Sequence, residues 1–227
     1  NYFPNKRLHY KRGQVIAYSG ESGSGFPHLH FEIRDADNIT INPYPLVKFP
    51  KKLIDKNRPI MQGIMLRNRE DTLVNGKIGE QYIRFSKKAA GQYVVKSPLV
   101  VTGPFDLVLK AYDRSDVGRR VAPYSISAML DGRAFYRLSF DRFEWGENNQ
   151  LGFVYDMEKS TSSRFYYNLF YQTGFSLEDH KMPFHELYHQ LEYGKHHLKI
   201  TVTDHFDNVS TGDITFYKVP VPQLSVS

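Results

Sequence analysis

The amino-acid sequence predicts an all-β fold, and three observations lead to it. Polar and apolar residues alternate along residues 27–34, which is the signature of a half-buried strand. Short β-rich runs broken by turn residues fill 59–216, where Asp131-Gly132 is a strong hairpin cue. Long helical periodicity is nearly absent. Many short strands of this kind imply an antiparallel sandwich with Greek-key-like connections.

The candidate strands of the second region are short and separated by turn residues such as Val74-Asn75-Gly76. They are 60–67, 81–85, 92–96, 98–102, 105–112, 124–130, 134–140, 151–155, 165–171, 197–203 and 213–218. In the last hairpin, Leu198, Ile200 and Val202 are expected to alternate inward, with a turn at 204–208.

The strand over 27–34 carries the most informative side chains. Residues two apart on a strand share a face at a separation of roughly 6.6 Å. His28, His30 and Glu32 therefore face one way, and the two imidazoles can reach one bound ion or substrate. A short apolar strand is expected over 13–18. The glycine-rich loop over 19–26 lacks the Gly-Lys-Ser/Thr ending of a phosphate-binding loop.

These segments together match a known family. The run Lys11-Arg12-Gly13-Gln14-Val15-Ile16-Ala17-Tyr18-Ser19-Gly20, the glycine-rich loop and Pro27-His28-Leu29-His30-Phe31-Glu32-Ile33-Arg34 closely resemble the end of the lysostaphin-type (LytM-like) zinc metallopeptidase domain. The match spans about residues 10–47 and includes Ile41-Asn42-Pro43, which is similar to the family's exit from the domain. The resemblance implies that His30 binds zinc and that His28 is a catalytic residue beside the metal.

The sequence departs from the family before His28. The family's other two zinc ligands come from an earlier H-x-x-x-D, and a further catalytic histidine lies between the motifs. His9 is the only earlier histidine, and the position four residues on is Gly13. The chain therefore holds half of the implied active site. The remaining Zn²⁺ ligands are expected upstream of Asn1, and this chain alone is expected to be inactive.

The domain organisation follows from composition and from a second resemblance. Residues 1–47 are expected to form the C-terminal half of the LytM-like domain, and the Pro- and Lys-rich stretch 48–58 a linker. Residues 59–218 are expected to form an immunoglobulin-like β-sandwich with insertions, followed by an extended tail over 219–227. The run 196–208 resembles the last hairpin of bacterial immunoglobulin-like modules. The region looks like the one that follows the peptidase domain in envelope peptidases of Gram-negative bacteria.

Composition excludes several classes of function. The chain has no cysteine, so thiolate metal sites and disulfide scaffolds are excluded. No apolar run approaches the ~18 residues of a membrane span. The formal charge of +6 is concentrated in residues 1–58, with ten Lys/Arg against five Asp/Glu. No basic stripe is interleaved with stacking aromatics, so nucleic acid is not an expected partner.

Two other metal motifs need an interpretation. Residues 185–189 match H-E-x-x-H, but Pro183 stands where a zincin needs an established helix, so a short helical insert is the favoured interpretation. A second set of residues could supply oxygen ligands to calcium, although turn formation by Asp and Asn is a simpler explanation for these residues. That set is Asp113, Asp116, Asp204, Asp207 and Asn208. His196 and His197 are adjacent on a strand and should face opposite ways.

The predicted function is that of a zinc metalloendopeptidase that hydrolyses peptide cross-links of peptidoglycan. The resemblance implies a location in the periplasm or cell envelope, with the peptidoglycan peptide as substrate and envelope proteins as possible partners of the sandwich. The alternative is a catalytically degenerate LytM-like protein that serves as a binding or activator scaffold. An H-x-x-x-D upstream of Asn1 would distinguish the two.

Overall fold

A computed structural model describes residues 9–18, 20, 32–46, 54–69, 72–115, 118–144, 146, 150–170 and 184–221. The chain divides into two compact units, Asn1–Ile33 and Arg34–Ser227. Of the described residues, 47% lie in strands and 9% in helices, so the predicted all-β class is confirmed. None of the helices among the described residues is long and apolar enough to cross a bilayer.

In the first unit, the strand predicted over 13–18 is absent. A turn stands at its start, where Gly13 has a φ of +85° and Gln14 N–H donates to the Lys11 carbonyl over 3.0 Å. The side chains of Val15 and Tyr18 are 67% and 92% exposed. A strand is stabilised by its ladder and by side-chain packing. In the described part of this unit, these residues have neither a strand partner nor a surface that buries their side chains.

The second unit contains most of the regular structure. Its strands, with β1 at the boundary between the two units, are β1 (Ile33–Arg34), β2 (Thr40–Ile41), β3 (Ile60–Asn68), β4 (Gln81–Arg84), β5 (Ser86–Ala89), β6 (Gln92–Val94), β7 (Leu99–Val101), β8 (Phe105–Arg114), β9 (Arg120–Val121), β10 (Ser125–Leu130), β11 (Arg133–Ser139), β12 (Arg142–Phe143), β13 (Tyr166–Asn168), β14 (Gly194–Thr203) and β15 (Val209–Lys218). The helices are α1 (Leu151–Val154) and α2 (Phe184–His189), and Tyr44–Leu46 forms a 3₁₀ turn.

Two large sheets make up the sandwich. One has the order β13-β8-β3-β4, with β9 paired to β8. The other has the order β11-β10-β14-β15-β6-β5, with β7 also paired to β15. The second sheet is mixed, because β6 and β7 both run parallel to β15 while its remaining pairs are antiparallel.

One apolar cluster fills the space between these sheets. The first sheet contributes buried side chains from β3 and β8, among them Ile64, Leu66, Leu107 and Leu109. The second contributes Ile126, Leu198, Ile200, Val202, Ile214 and Phe216. The inward alternation predicted for β14 is confirmed. His196 lies on this buried face and His197 on the exposed one, as expected.

The Asp131-Gly132 hairpin is also confirmed. β10 and β11 are joined by these two residues, whose φ angles are +48° and +81°. Positive φ at both central positions is what a tight turn between twisted strands requires. The Asp131 carboxylate accepts a hydrogen bond from His197 N–H over 2.8 Å and contacts His196 Nδ1 at 2.6 Å. The turn is therefore fixed to the neighbouring strand β14.

Several segments of the second unit differ from the predicted strands. Residues 151–154 form the short helix α1, so the predicted strand over 151–155 is wrong. The run Leu-Gly-Phe-Val is too short for its apolar pattern to distinguish a strand from a helix. Within the described part of 165–171 the strand is limited to β13. The strands β2, β5, β9 and β12 were not predicted.

The helical insert predicted around residues 185–189 is present as α2. Its Phe184 ring packs against Phe105 and Phe135, with centroids 5.0 and 4.9 Å apart. Tyr188 stacks against Phe216 with centroids 6.4 Å apart. The helix therefore presents its aromatic side to the core.

A small third sheet joins residues 34–46 to the sandwich. β2 pairs antiparallel with β12, and Asn42 N–H donates to the Asp141 carbonyl over 2.8 Å. The Arg142 guanidinium contacts the Asp35 carboxylate at 3.1 Å. The segment that resembles the family's exit therefore belongs to the second unit. The boundaries expected at 47 and 59 stay predictions, and residues 47–53 lie outside the described chain.

Candidate metal centre

Three buried carboxylates meet at one end of the sandwich. Asp55, Asp113 and Asp204 are 9%, 7% and 2% exposed. Each places a carboxylate oxygen within 4.8 Å of an oxygen of the other two. They come from distant parts of the chain: the segment before β3, the end of β8 and the turn between β14 and β15. We call this set the aspartate triad.

Local hydrogen bonds position two members of the aspartate triad. Asp55 Oδ1 accepts from the backbone N–H and the side-chain amide of Asn57, over 2.8 and 2.7 Å. Asp204 Oδ1 accepts from the N–H groups of Phe206 and Asn208, both over 2.8 Å. These are the local side-chain-to-backbone bonds by which Asp shapes a turn.

The Asn208 amide connects the same two members. Its Nδ2 donates to Asp204 Oδ2 over 2.7 Å and to the Asp55 carbonyl over 3.1 Å. The segment before β3 and the last turn are therefore held together by one side chain. Nearby, the Ser210 hydroxyl donates to the Pro59 carbonyl over 2.6 Å.

Asp113 is held differently. It is paired with Val121 in the β8–β9 ladder, and its buried Oδ1 has no hydrogen-bond partner. Its pKa is raised to about 6, chiefly by burial; a hydrogen bond from the Arg114 backbone opposes the rise, and the charges of Asp204 and Asp55 add to it. An unpaired buried carboxylate oxygen is costly, because it has lost water without gaining a replacement.

A cleft gives access to the aspartate triad. It has a volume of about 330 Å³, and its lining includes Asp55, Asp113, Arg114, Tyr44 and His205. Burial lowers the pKa of the His205 imidazole, against the opposing charges of Asp204 and Asp141. His205 Nδ1 also lies 3.1 Å from Asn42 Nδ2. Because an amide nitrogen only donates, this contact uses Nδ1 as an acceptor.

The three carboxylates have no salt-bridge partner among the described residues, whether lysine, arginine or histidine. Carboxylates this close together repel one another when charged, and a bound cation would offset that repulsion. The donor set consists of oxygens, which suits hard divalent cations.

The site residues predicted from the sequence are only partly covered. His28 and His30 lie outside the described residues, as does Asp116. His185 and His189 lie on α2 and belong to no three-ligand cluster in the described segments, where Asp55, Asp113 and Asp204 form the one such set. The aspartate triad includes Asp113 and Asp204, two of the five residues considered as calcium ligands from the sequence. Asp207 is exposed with a φ of +62°, and Asn208 donates with its amide.

Asp55 was missed because it was assigned to the linker between domains. Its local signal is Asp-x-Asn just before a proline and a strand, which is typical of a turn. Nothing in that pattern identifies residues 113 and 204 as its neighbours. Comparisons of the chain with protein-family models, with curated proteins and with solved structures found no match.

Proposed function

We propose that this chain is the C-terminal part of a zinc-dependent endopeptidase that hydrolyses peptide cross-links of peptidoglycan in the periplasm or cell envelope. The observation that carries the proposal is the run from Lys11 to Arg34, with its glycine-rich loop and its two histidines two positions apart. This run resembles the LytM-like family in the identity, the order and the spacing of its residues. The β-sandwich of the second unit is then a module carried beside the peptidase half.

The donor chemistry of the run is compatible with zinc. Imidazole nitrogen is an ordinary zinc ligand, and a chain without cysteine has only histidine and carboxylate to offer. His30 would bind the metal in its neutral form, so metal affinity falls as the imidazole takes up a proton. Zinc, when bound, would lower the pKa of its water to about 7 and polarise the scissile carbonyl. His28 would hold or transfer a proton beside the reacting carbonyl.

The exposed apolar residues of the first unit support the proposal. Val15 and Ile16 are 67% and 65% exposed, in a run whose composition is typical of a strand. Large apolar side chains grouped on a surface commonly mark an interaction site. We propose that this run packs against other parts of the peptidase domain in the complete protein.

The packing of the exit segment supports a fixed role for the sandwich. Asn42 of the Ile41-Asn42-Pro43 segment contacts His205, and Tyr44 stacks on the same ring with centroids 4.3 Å apart. These contacts join the end of the peptidase-like segment to the turn that carries Asp204. The sandwich is therefore proposed as a positioning or regulatory module for the enzyme.

Two substitutions in the complete protein test the peptidase proposal. His30→Ala is expected to abolish zinc binding, whereas His28→Ala keeps stoichiometric zinc and loses the cleavage of purified peptidoglycan. Metal content by atomic emission and release of soluble muropeptides are the two measurements. His189→Ala is a matched control, since it removes an exposed histidine from α2. Stoichiometric zinc in the His30→Ala variant would contradict the assignment.

A specific observation favours the scaffold alternative as the second candidate. None of the nine histidines in this chain is followed by aspartate at the fourth position, as the family's first motif requires. If the residues encoded before Asn1 also lack that motif, we propose that the peptidase fold binds an envelope partner without cleaving peptidoglycan. The complete protein would then bind peptidoglycan or its partner with no release of muropeptides.

A further inference from the structure

We infer that Asp55, Asp113 and Asp204 bind one divalent cation, and that calcium is the ion this site takes. The inference goes beyond the proposed peptidase, because it involves none of the residues assigned to zinc. It rests on the convergence of three buried carboxylates and on Asp113 Oδ1, a buried oxygen of one of them that has no hydrogen-bond partner.

The spacing of the carboxylates fits one calcium ion. Calcium binds oxygen at about 2.3–2.6 Å, so two oxygens on one ion can be separated by at most about 5 Å. The three carboxylates each have an oxygen within 4.8 Å of the others. At the widest spacing this allows, an ion at their centre would lie about 2.8 Å from each oxygen, so small side-chain rotations suffice to bring one calcium ion into contact with all three.

The hydrogen bonds of the aspartate triad leave oxygens for the ion. The described hydrogen bonds to the Asp55 carboxylate are both accepted by Oδ1. In Asp204, Oδ1 accepts two hydrogen bonds and Oδ2 accepts one. A carboxylate has about four lone-pair directions, so Asp55 Oδ2 and Asp204 Oδ2 retain acceptor capacity. Asp113 Oδ1 retains all of its capacity.

The chemistry of the site favours calcium over zinc and magnesium. Zinc prefers a tetrahedral set with nitrogen or sulfur ligands. The His205 imidazole, which lines the same cleft, already uses Nδ1 to accept from Asn42. Magnesium requires near-octahedral geometry at about 2.0–2.1 Å and retains its waters. Calcium accepts irregular sets of oxygen ligands, and the cleft of about 330 Å³ admits the waters that complete its shell.

The position of the site implies what the ion does. Asp55 precedes the first long strand of one sheet, Asp113 ends the next strand of that sheet, and Asp204 begins the turn of the other sheet. A cation bound to all three joins the two sheets at the end where residues 42–44 are packed. Binding is therefore expected to stabilise the second unit.

Calcium titration of the 227-residue chain tests the inference. Bound metals are first removed with EDTA, and the EDTA is then removed by dialysis. Isothermal titration with CaCl₂ at about pH 8 is expected to give one ion per chain. The Tm is expected to rise by roughly 5–10 °C when calcium is at about 100 times its Kd, and EDTA is expected to reverse the rise. The same titrations with MgCl₂ and ZnCl₂ are expected to give weaker binding at this site.

Matched variants assign the signal to the aspartate triad. Asp113→Asn is expected to weaken calcium binding by at least about tenfold, because it removes a charged ligand. Asp55→Asn is a second variant that keeps an oxygen for the Asn57 hydrogen bonds and is expected to weaken binding similarly. Asp37→Asn removes the same charge from an exposed turn and is expected to leave both the Kd and the Tm rise unchanged.

The outcomes separate this inference from the peptidase proposal. Calcium binding that is lost in Asp113→Asn and retained in His30→Ala supports the site whether or not the enzyme is active. The inference is overturned if about 10 mM calcium gives neither heat nor a Tm rise in the wild-type chain. It is also overturned if Asp113→Asn and Asp55→Asn, shown to be folded by circular dichroism, bind calcium like the wild type, or if zinc binds more tightly than calcium at a site that these variants abolish.

Discussion

The ring of Tyr44 stacks on the ring of His205, with centroids 4.3 Å apart and an interplanar angle of 6°. The Asn42 amide occupies Nδ1 of the same imidazole. The two partners come from opposite ends of the second unit, so the stack ties its entry segment to its last turn.

Removal of the stack should destabilise the second unit. We expect Tyr44→Ala to lower the free energy of unfolding by about 1–2 kcal/mol, because it removes both buried area and the aromatic pair. Urea denaturation followed by circular dichroism measures the change. Tyr18→Ala is the matched control, since Tyr18 is 92% exposed and should change stability little. Equal effects of the two substitutions would show that the stack contributes nothing.

The contribution of His205 should depend on pH. Its folded-state pKa is lowered by burial, so the unfolded chain takes up the proton first as the pH falls below about 6.5. The stabilising contribution of neutral His205 is therefore present above that pH and is lost as the pH falls. We expect the stability difference between wild type and His205→Gln to shrink between about pH 8 and pH 5. Denaturant titrations across that range test it, and a constant difference would contradict it.

Asp113 should have the opposite dependence when divalent cations are absent. Its pKa is raised from 3.8 to about 6, so the folded state binds the proton more tightly than the unfolded state. Stability then falls as the pH rises from about 4 to about 6, and the full cost of up to about 3 kcal/mol applies above that.

Substitution of Asp113 should relieve that cost. In EDTA at about pH 8 we expect Asp113→Asn to be more stable than the wild type, with the advantage fading below about pH 6. Thermal unfolding at several pH values measures it, and Asp37→Asn serves as the exposed control. A variant that is less stable than the wild type at every pH would refute the cost that we assign to the buried Asp113 carboxylate.

Gly212 should not tolerate a methyl group. On β15, a Cβ at this position would lie 2.7 Å from Met61 Cε and 2.8 Å from Phe85 Cζ, so the core must shift. We expect Gly212→Ala to destabilise the protein by about 1–3 kcal/mol. Gly152→Ala is the matched control, because a Cβ there meets nothing within 4 Å and alanine favours helix α1. The two variants are compared by thermal unfolding, and a neutral Gly212→Ala would show that the core yields without cost.

The elements that the sequence predicts well are those fixed by local chemistry. Asp131-Gly132 determines a turn with positive φ at both positions, and the alternation of Leu198 and Ile200 determines the buried face of β14. The apolar run over 151–154 carries no such signal, and its helical form depends on the surrounding chain.

The aspartate triad could be predicted only in part for the same reason. Asp113 and Asp204 were recognisable as oxygen donors near turns, but nothing local relates them to each other. The contact between them depends on how β8 and the β14–β15 turn meet across two sheets, and Asp55 joins through the segment before β3. Tertiary packing of residues far apart in sequence, rather than any motif, produces this cluster.

The two outermost strands of the larger sheet bear on self-association. β5 carries exposed Lys87 and Lys88 beside an irregularity in its ladder, and β11 carries exposed Arg133 and Arg137. If two copies paired through these edge strands, their lysine and arginine side chains would be brought together along an irregular backbone ladder. Charged side chains and irregular ladders at edge strands are common ways in which β proteins disfavour edge-to-edge aggregation. Among the described strands of this sheet, the two edges are therefore expected to disfavour pairing with a second copy.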